Sequence, residues 1–320
     1  MIIKKLKGGS LSSTFLLKEK NRKIIRKQIL LTKNREYGFV RWYSQLKKIQ
    51  KYNSFFPELY PKVLNVSCLK DKAYFDLEFC KTFTDIKTIF AKKELKLTQI
   101  KKINNALCNS FKMMHKSKFA AIKGLPLLYY KEEVLQKIYD AKKHKEFLNF
   151  YNINKFQYNG KNVYGINSYL SDLKEFFTNL KLQHEEWIHG NPTLENTLYS
   201  FIEDRIIFVD PYEESIIDSR FLDYSQVMQC SNSGYGYIND RKILINGNVV
   251  SNNFTLPLNF SNFNNLFKEQ MLEKKTKNIV KILEATQFIR MLPFKCNIGK
   301  YQKAKFFYVY ACYMLSEIFK

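Results

Sequence analysis

The sequence predicts an α+β fold in two parts, a small antiparallel-sheet region over about residues 1–80 and a larger, mainly helical region over 81–320. Three observations predict it. Apolar and β-branched runs separated by polar turns fill most of the first 80 positions. Beyond Thr82 the apolar residues recur at helical steps instead. Between the helical stretches, Trp187 to Tyr212 holds a short loop and two short strands, the second leading to an acid, Asp210.

Each element follows from its local pattern. Ile2-Ile3, Thr14 to Leu17 and Lys23 to Ile29 read as strands, with a turn around Glu19 to Arg22. Asn34 to Tyr52 reads as a helix, because Phe39, Trp42, Tyr43, Leu46 and Ile49 recur at three- and four-residue steps. Pro57 and Pro61 end it, and Lys62 to Ser67 and Ala73 to Phe79 read as two more strands. Ile100, Ile103, Leu107, Phe111 and Met114 form one helical stripe, and Ile166 to Leu180 a second helix. Tyr151 to Lys161, polar and aromatic, reads as a loop. Strands are expected near Thr197 to Phe201 and Ile206 to Val209, and helices over most of Phe221 to Lys320. The exception there is a hairpin near Lys242 to Val250, signalled by Asn246-Gly247.

Composition bounds the function classes. The formal charge is +24, from 53 Lys and Arg against 29 Asp and Glu. Such a balance fits an anionic partner, or an AT-rich coding sequence that favours Lys, Asn, Ile, Phe and Tyr. The basic residues are scattered in short runs such as Lys92-Lys93, which argues against a dedicated nucleic-acid-reading helix. The six cysteines form no C-x-x-C pair and no zinc spacing, so a reducing compartment is expected. The charged Met1 to Lys7 stretch does not read as a signal peptide, and no apolar run approaches 18 residues. The expectation is a cytoplasmic chain without a membrane span.

The most informative segment reads W-I-H-G-N-P-T-L-E-N from Trp187, continuing to V-D-P-Y at Tyr212. His189-Gly190-Asn191 is followed by Asn196, and Asp210 closes the second strand. This block resembles the kinase-like phosphotransferases, the superfamily of aminoglycoside phosphotransferases and choline kinases. Their loop H-G-D-x-x-x-x-N precedes a strand that ends in Asp. The resemblance implies a bilobal protein-kinase-like fold, binding ATP and magnesium between a sheet-rich N-lobe and a helical C-lobe. It gives Asn196 and Asp210 the metal-binding positions and Asn191 the general-base position beside His189. Phosphoryl transfer depends mainly on positioning and charge neutralisation, so one carboxylate and one amide oxygen suffice for a magnesium ion that keeps its waters.

Other residues match in the same order. Gly8, Gly9 and Ser10 stand where the family covers the nucleotide, although a plain hairpin turn would look the same. Lys27 or its neighbour Arg26 takes the phosphate-contacting position. Glu36 is either the partner of that cation or a solvated carboxylate at a helix start. Glu78 and Phe79 fall in the expected adenine hinge. His115 ends a helix that resembles the family's L-x-x-L-H, and Asp223 takes a position that braces the catalytic loop or caps a helix. The run His189 to Asn196 is also similar to predicted phosphotransferases encoded with capsule or lipopolysaccharide biosynthesis.

Asn191 departs from the family pattern. An amide is nearly isosteric with a carboxylate but takes no proton, and a positioned base contributes roughly 10²–10⁴-fold. Three readings stay open: a slow or substrate-assisted kinase of a sugar or small polar metabolite, a kinase using Glu195 or Asp218 as base, and a pseudokinase that binds nucleotide and regulates a partner protein. A basic nucleic-acid-binding protein is a separate alternative.

Overall fold

The N-terminal strands pair as a single antiparallel sheet in the order β1-β2-β3-β5-β4. They are β1 (Ile2–Leu6), β2 (Ser13–Glu19), β3 (Arg22–Leu30), β4 (Val63–Cys68) and β5 (Lys72–Glu78). The computed structural model describes residues 1–6, 12–20, 22–31, 37–92, 94–241, 243–251 and 255–319. Central strand β3 pairs Arg26 with Phe15 and Asp76, and Lys27 with Thr14 and Phe75. Strand alternation therefore sends Arg26 and Lys27 to opposite faces.

Between β3 and β4 runs the helix α1 (Tyr37–Phe55). Of its predicted stripe, Trp42, Leu46 and Ile49 are buried and Phe39 half-buried, whereas Tyr43 is exposed. Trp42, Leu46 and Ile49 pack with Ile29, Ala73, Phe75 and Leu77 of the sheet. Burying these side chains is worth about 1.5–3 kcal/mol each, which fixes the rotation of α1 about its axis. That rotation determines which polar residues α1 presents beside the stripe.

The chain divides into two compact units. The first comprises Met1–Ile89, Asn105–Ser110 and His189–Ser215, and the second the remaining segments. The expected boundary near residue 80 therefore differs from the observed division. Sequence order assigned His189 to Ser215 to the helical part, but hydrogen bonds tie this segment into the first unit. The Thr197–Ser200 and Arg205–Phe208 hairpin pairs with β6 (Thr84–Asp85), and Phe208 donates its N–H to the Leu59 carbonyl.

The second unit is mainly helical and has its own core, to which Phe147, Leu173, Ile282, Phe288 and Phe307 belong. The expected loop at Tyr151 to Lys161 instead enters a hairpin, Lys155–Tyr158 paired with Lys161–Tyr164. Phe156 and Tyr158 alternate inward along it, and Asn159 and Gly160 turn it with φ of 48° and 80°. Both φ values lie where Asn and Gly are favoured, as a two-residue primed turn requires. The predicted turn at Asn246-Gly247 is present, joining Ile245–Asn246 to Val249–Val250. No helix among the described residues is long and apolar enough to cross a membrane.

Candidate functional site

The candidate site is built within the first unit from β3, α1 and the segment after Ile188. Lys27, Asn191 and Asp210 line one cleft of about 140 Å³, together with Arg41, Gln45 and Tyr212. The ammonium of Lys27 is ion-paired with Asp210 and donates to Gln45 Oε1 at 2.7 Å. Gln45 Nε2 in turn donates to the Pro211 carbonyl at 3.1 Å. Asp210 has φ of 56°, a left-handed conformation for which Asp is better suited than most residues.

His189 is fully buried and holds the loop together. Its Nε2 lies 3.0 Å from the Val209 carbonyl, and its Nδ1 accepts the Asn191 N–H at 3.1 Å. A ring nitrogen facing a carbonyl must carry the proton, and one facing an N–H must not, so His189 is the neutral Nε2–H tautomer. It therefore ties Asn191 to the residue before Asp210. Sequence analysis placed His189 with the catalytic residues; its two partners make it a positioning residue. Gly190, at φ of 78°, belongs to the same lock. A Cβ there would stand 3.0 Å from Ser215 Oγ and 3.1 Å from the Tyr212 carbonyl, so only glycine fits without displacement.

Asn196 donates its Nδ2 to the Asn191 carbonyl at 3.0 Å, and its own carbonyl accepts the Val209 N–H at 2.9 Å. These bonds set Asn196 beside the strand end that carries Asp210. Its Oδ1 takes no donor among the described residues, nor does Asp210 Oδ2. One amide oxygen and one carboxylate oxygen thus remain, which are hard ligands of the type magnesium takes. The residues fit such an ion. Asn191 donates its Nδ2 to the Asp210 carbonyl at 3.4 Å, and its Oδ1 has no donor among the described residues.

Other predicted residues lie elsewhere. Arg26 forms a bidentate pair with Asp76, at 2.7 and 2.8 Å, with its guanidinium 3.8 Å from the Tyr74 ring centre. The Asp76 bond does most to hold its pKa above the ordinary value, against burial. Strand alternation and this partner remove Arg26 from the Lys27 cleft. Glu78 and Phe79 line a separate depression of about 530 Å³ with Arg22, Lys23, Lys62 and Lys81. The suggested alternative base Glu195 is paired with Lys87 at 2.6 Å. In the second unit, Asp218 stands 3.6 Å from His184, and buried Asp223 lies 3.1 Å from His115 Nε2. Gly8, Gly9, Ser10 and Glu36 lie outside the described residues.

Sequence analysis sought an acid beside Lys27 and missed the amide of Gln45. It also missed Arg41, which pairs with Glu213 at 2.8 Å. Burial works against that charged guanidinium, but Glu213 and Glu214 outweigh it and hold its pKa above the ordinary value. The available signal was helix phase: Gly38, Arg41, Trp42 and Gln45 all line the cleft and share one face at steps of three and four.

No family model matches the chain, and no curated protein matches it in sequence. Its architecture is similar to a crystal structure of a putative fructosamine-3-kinase from Haemophilus somnus 129PT. The likeness has a TM-score of 0.57 at 10% identity and covers 99% of this chain and 90% of the other. The fold is kinase-like. At that identity the likeness speaks for the fold, and the chemistry rests on the residues above.

Proposed function

We propose that this kinase-like chain is an ATP-dependent phosphotransferase acting on a hydroxyl of a sugar or small polar metabolite. The observation that carries the reading is the convergence of Lys27, Asn191 and Asp210 on one cleft, with Asn196 hydrogen-bonded to Asn191. Asp210 and Asn196 would hold magnesium, which neutralises charge on the phosphates when bound. Lys27 supplies a positive charge on the same wall. Asn191 presents an amide oxygen that accepts a hydrogen bond from an incoming hydroxyl and orients it but takes no proton from it, so that proton passes to an oxygen of the transferred phosphoryl group as ADP leaves. The run Thr193 to Asn196 supports an acceptor used in surface-polysaccharide assembly, through its resemblance to that group of phosphotransferases. The name of the structural neighbour also fits a sugar-like acceptor.

A second reading is favoured by Asn191 itself: a pseudokinase that binds nucleotide and acts through a partner. Two measurements test the readings, and the second separates them. Magnesium–ATP at millimolar concentration should raise the melting temperature; no shift would remove the nucleotide assignment from both. Asn191→Asp should raise ATP turnover by about 10²–10⁴-fold if only the base is missing. Turnover absent in both forms, with nucleotide still bound, would leave the pseudokinase.

A further inference from the structure

The second unit contains a cavity of about 460 Å³ that the phosphotransfer reading does not use. Lys268, Lys277 and Lys281 line it, with the amides of Asn232 and Asn278. Met228, Met314 and Leu272 supply apolar surface, and Tyr310 and Tyr313 add aromatic rings with hydroxyls. The volume lies in the range of small-molecule sites.

The positive charge here is organised and only partly compensated. Lys268 Nζ donates to Asn232 Oδ1 at 3.1 Å, and Asn264 Nδ2 donates to the same oxygen at 3.2 Å. Behind them, buried Glu284 accepts from Asn232 and from the Ser233 hydroxyl. Burial pushes the Lys268 pKa down, and Lys281 and Lys277 push it further; Glu284 alone works the other way. Lys277 and Lys281 have no ion-pair partner among the described residues. Glu317, the carboxylate among the described lining residues, stands 3.4 Å from Lys161. An excess of positive charge in a partly apolar cavity attracts an anion with an organic body.

We propose that this cavity binds an acidic sugar, a hydroxylated ring carrying a phosphate or a carboxylate. The lysines meet the acid group, the Asn278 amide and the Tyr313 hydroxyl meet ring hydroxyls, and the methionine and leucine surface meets the ring's C–H face. The site is independent of the nucleotide assignment. Calorimetric titration of the full chain with glucose 6-phosphate, glucuronate, glucose and inorganic phosphate tests it. At least one acidic sugar should bind with submillimolar Kd, and glucose at least tenfold more weakly. A preference between the two acids identifies phosphate or carboxylate as the recognised group. Lys277→Ala with Lys281→Ala should weaken binding at least tenfold, the two Arg replacements should retain it, and Asp210→Ala should leave it unchanged. The proposal falls if neither acidic sugar binds or if the double Ala variant binds like the parent. It also falls if inorganic phosphate binds as tightly as the sugar, or if Asp210→Ala abolishes binding.

Discussion

Lys27 and Asp210, 183 positions apart, form an ion pair. The pair engages Oδ1 of the carboxylate that a metal ion would need and leaves Oδ2. On α1, Lys27 donates to a neutral amide, Gln45, and no second acid among the described residues draws it away. Gln45→Glu should supply that acid and loosen the hold on Asp210. The magnesium concentration that half-saturates nucleotide-dependent stabilisation should then fall several-fold, as measured by melting temperature across a magnesium titration at fixed ATP. An unchanged requirement would mean that Asp210 does not hold the metal.

Arg26 and Lys27 are adjacent, yet their replacements should separate cleanly. Arg26→Met leaves the buried Asp76 carboxylate without its bidentate partner. The expected cost is about 3 kcal/mol of stability, with nucleotide affinity at most slightly changed. Lys27→Met should do the reverse to the ligand, weakening magnesium–ATP binding at least tenfold. Urea unfolding and ligand titration on the same two variants check both halves.

How much of this was legible depended on how local each signal was. The sheet strands, the α1 stripe and the Asn191, Asn196 and Asp210 spacing are all short-range patterns, and each was readable from consecutive residues. The role of His189 was not, because it depends on Val209, which the hairpin brings back 20 positions later. The choice between Arg26 and Lys27 also required the third dimension, since both are cations on one strand and only their faces differ. Gln45 escaped because the expected partner was an acid, whereas helix phase selects position 45. The hairpin at Lys155 to Tyr164 was hidden by its polar content, although Asn159-Gly160 carried its turn signal.

The histidine lock makes a stability prediction of its own. His189→Phe keeps an aromatic ring beside Tyr60 and Phe208, whose ring centres lie 6.2 and 5.2 Å away. It removes both hydrogen-bonding nitrogens. The Val209 carbonyl and the Asn191 N–H then lose the partners that His189 gave them, at about 1–3 kcal/mol each. A loss of roughly 2–6 kcal/mol in urea unfolding is expected. A loss under about 0.5 kcal/mol would show that ring packing, and not the two hydrogen bonds, maintains the loop.

Glu284 gives the second unit a pH dependence of defined sign. Burial raises its pKa from 4.5 to about 7, against the Ser233 and Asn232 hydrogen bonds and the Lys268 and Lys281 charges that favour the ionised form. Between those two values the folded chain holds a proton that the unfolded chain has released. Stability from this group is therefore fully present below pH 4.5, falls as pH rises toward 7, and changes little above it. The shift corresponds to roughly 3 kcal/mol over that window. Glu284→Gln cannot titrate yet keeps an oxygen to accept from Ser233. It should lose this contribution to the slope, so that its stability relative to the parent rises by about that amount between pH 4.5 and 8. Urea midpoints measured across the window would show this as a widening gap between the two proteins. Parallel curves would mean that Glu284 is ionised throughout and that Lys268 and Asn232 suffice to keep it charged.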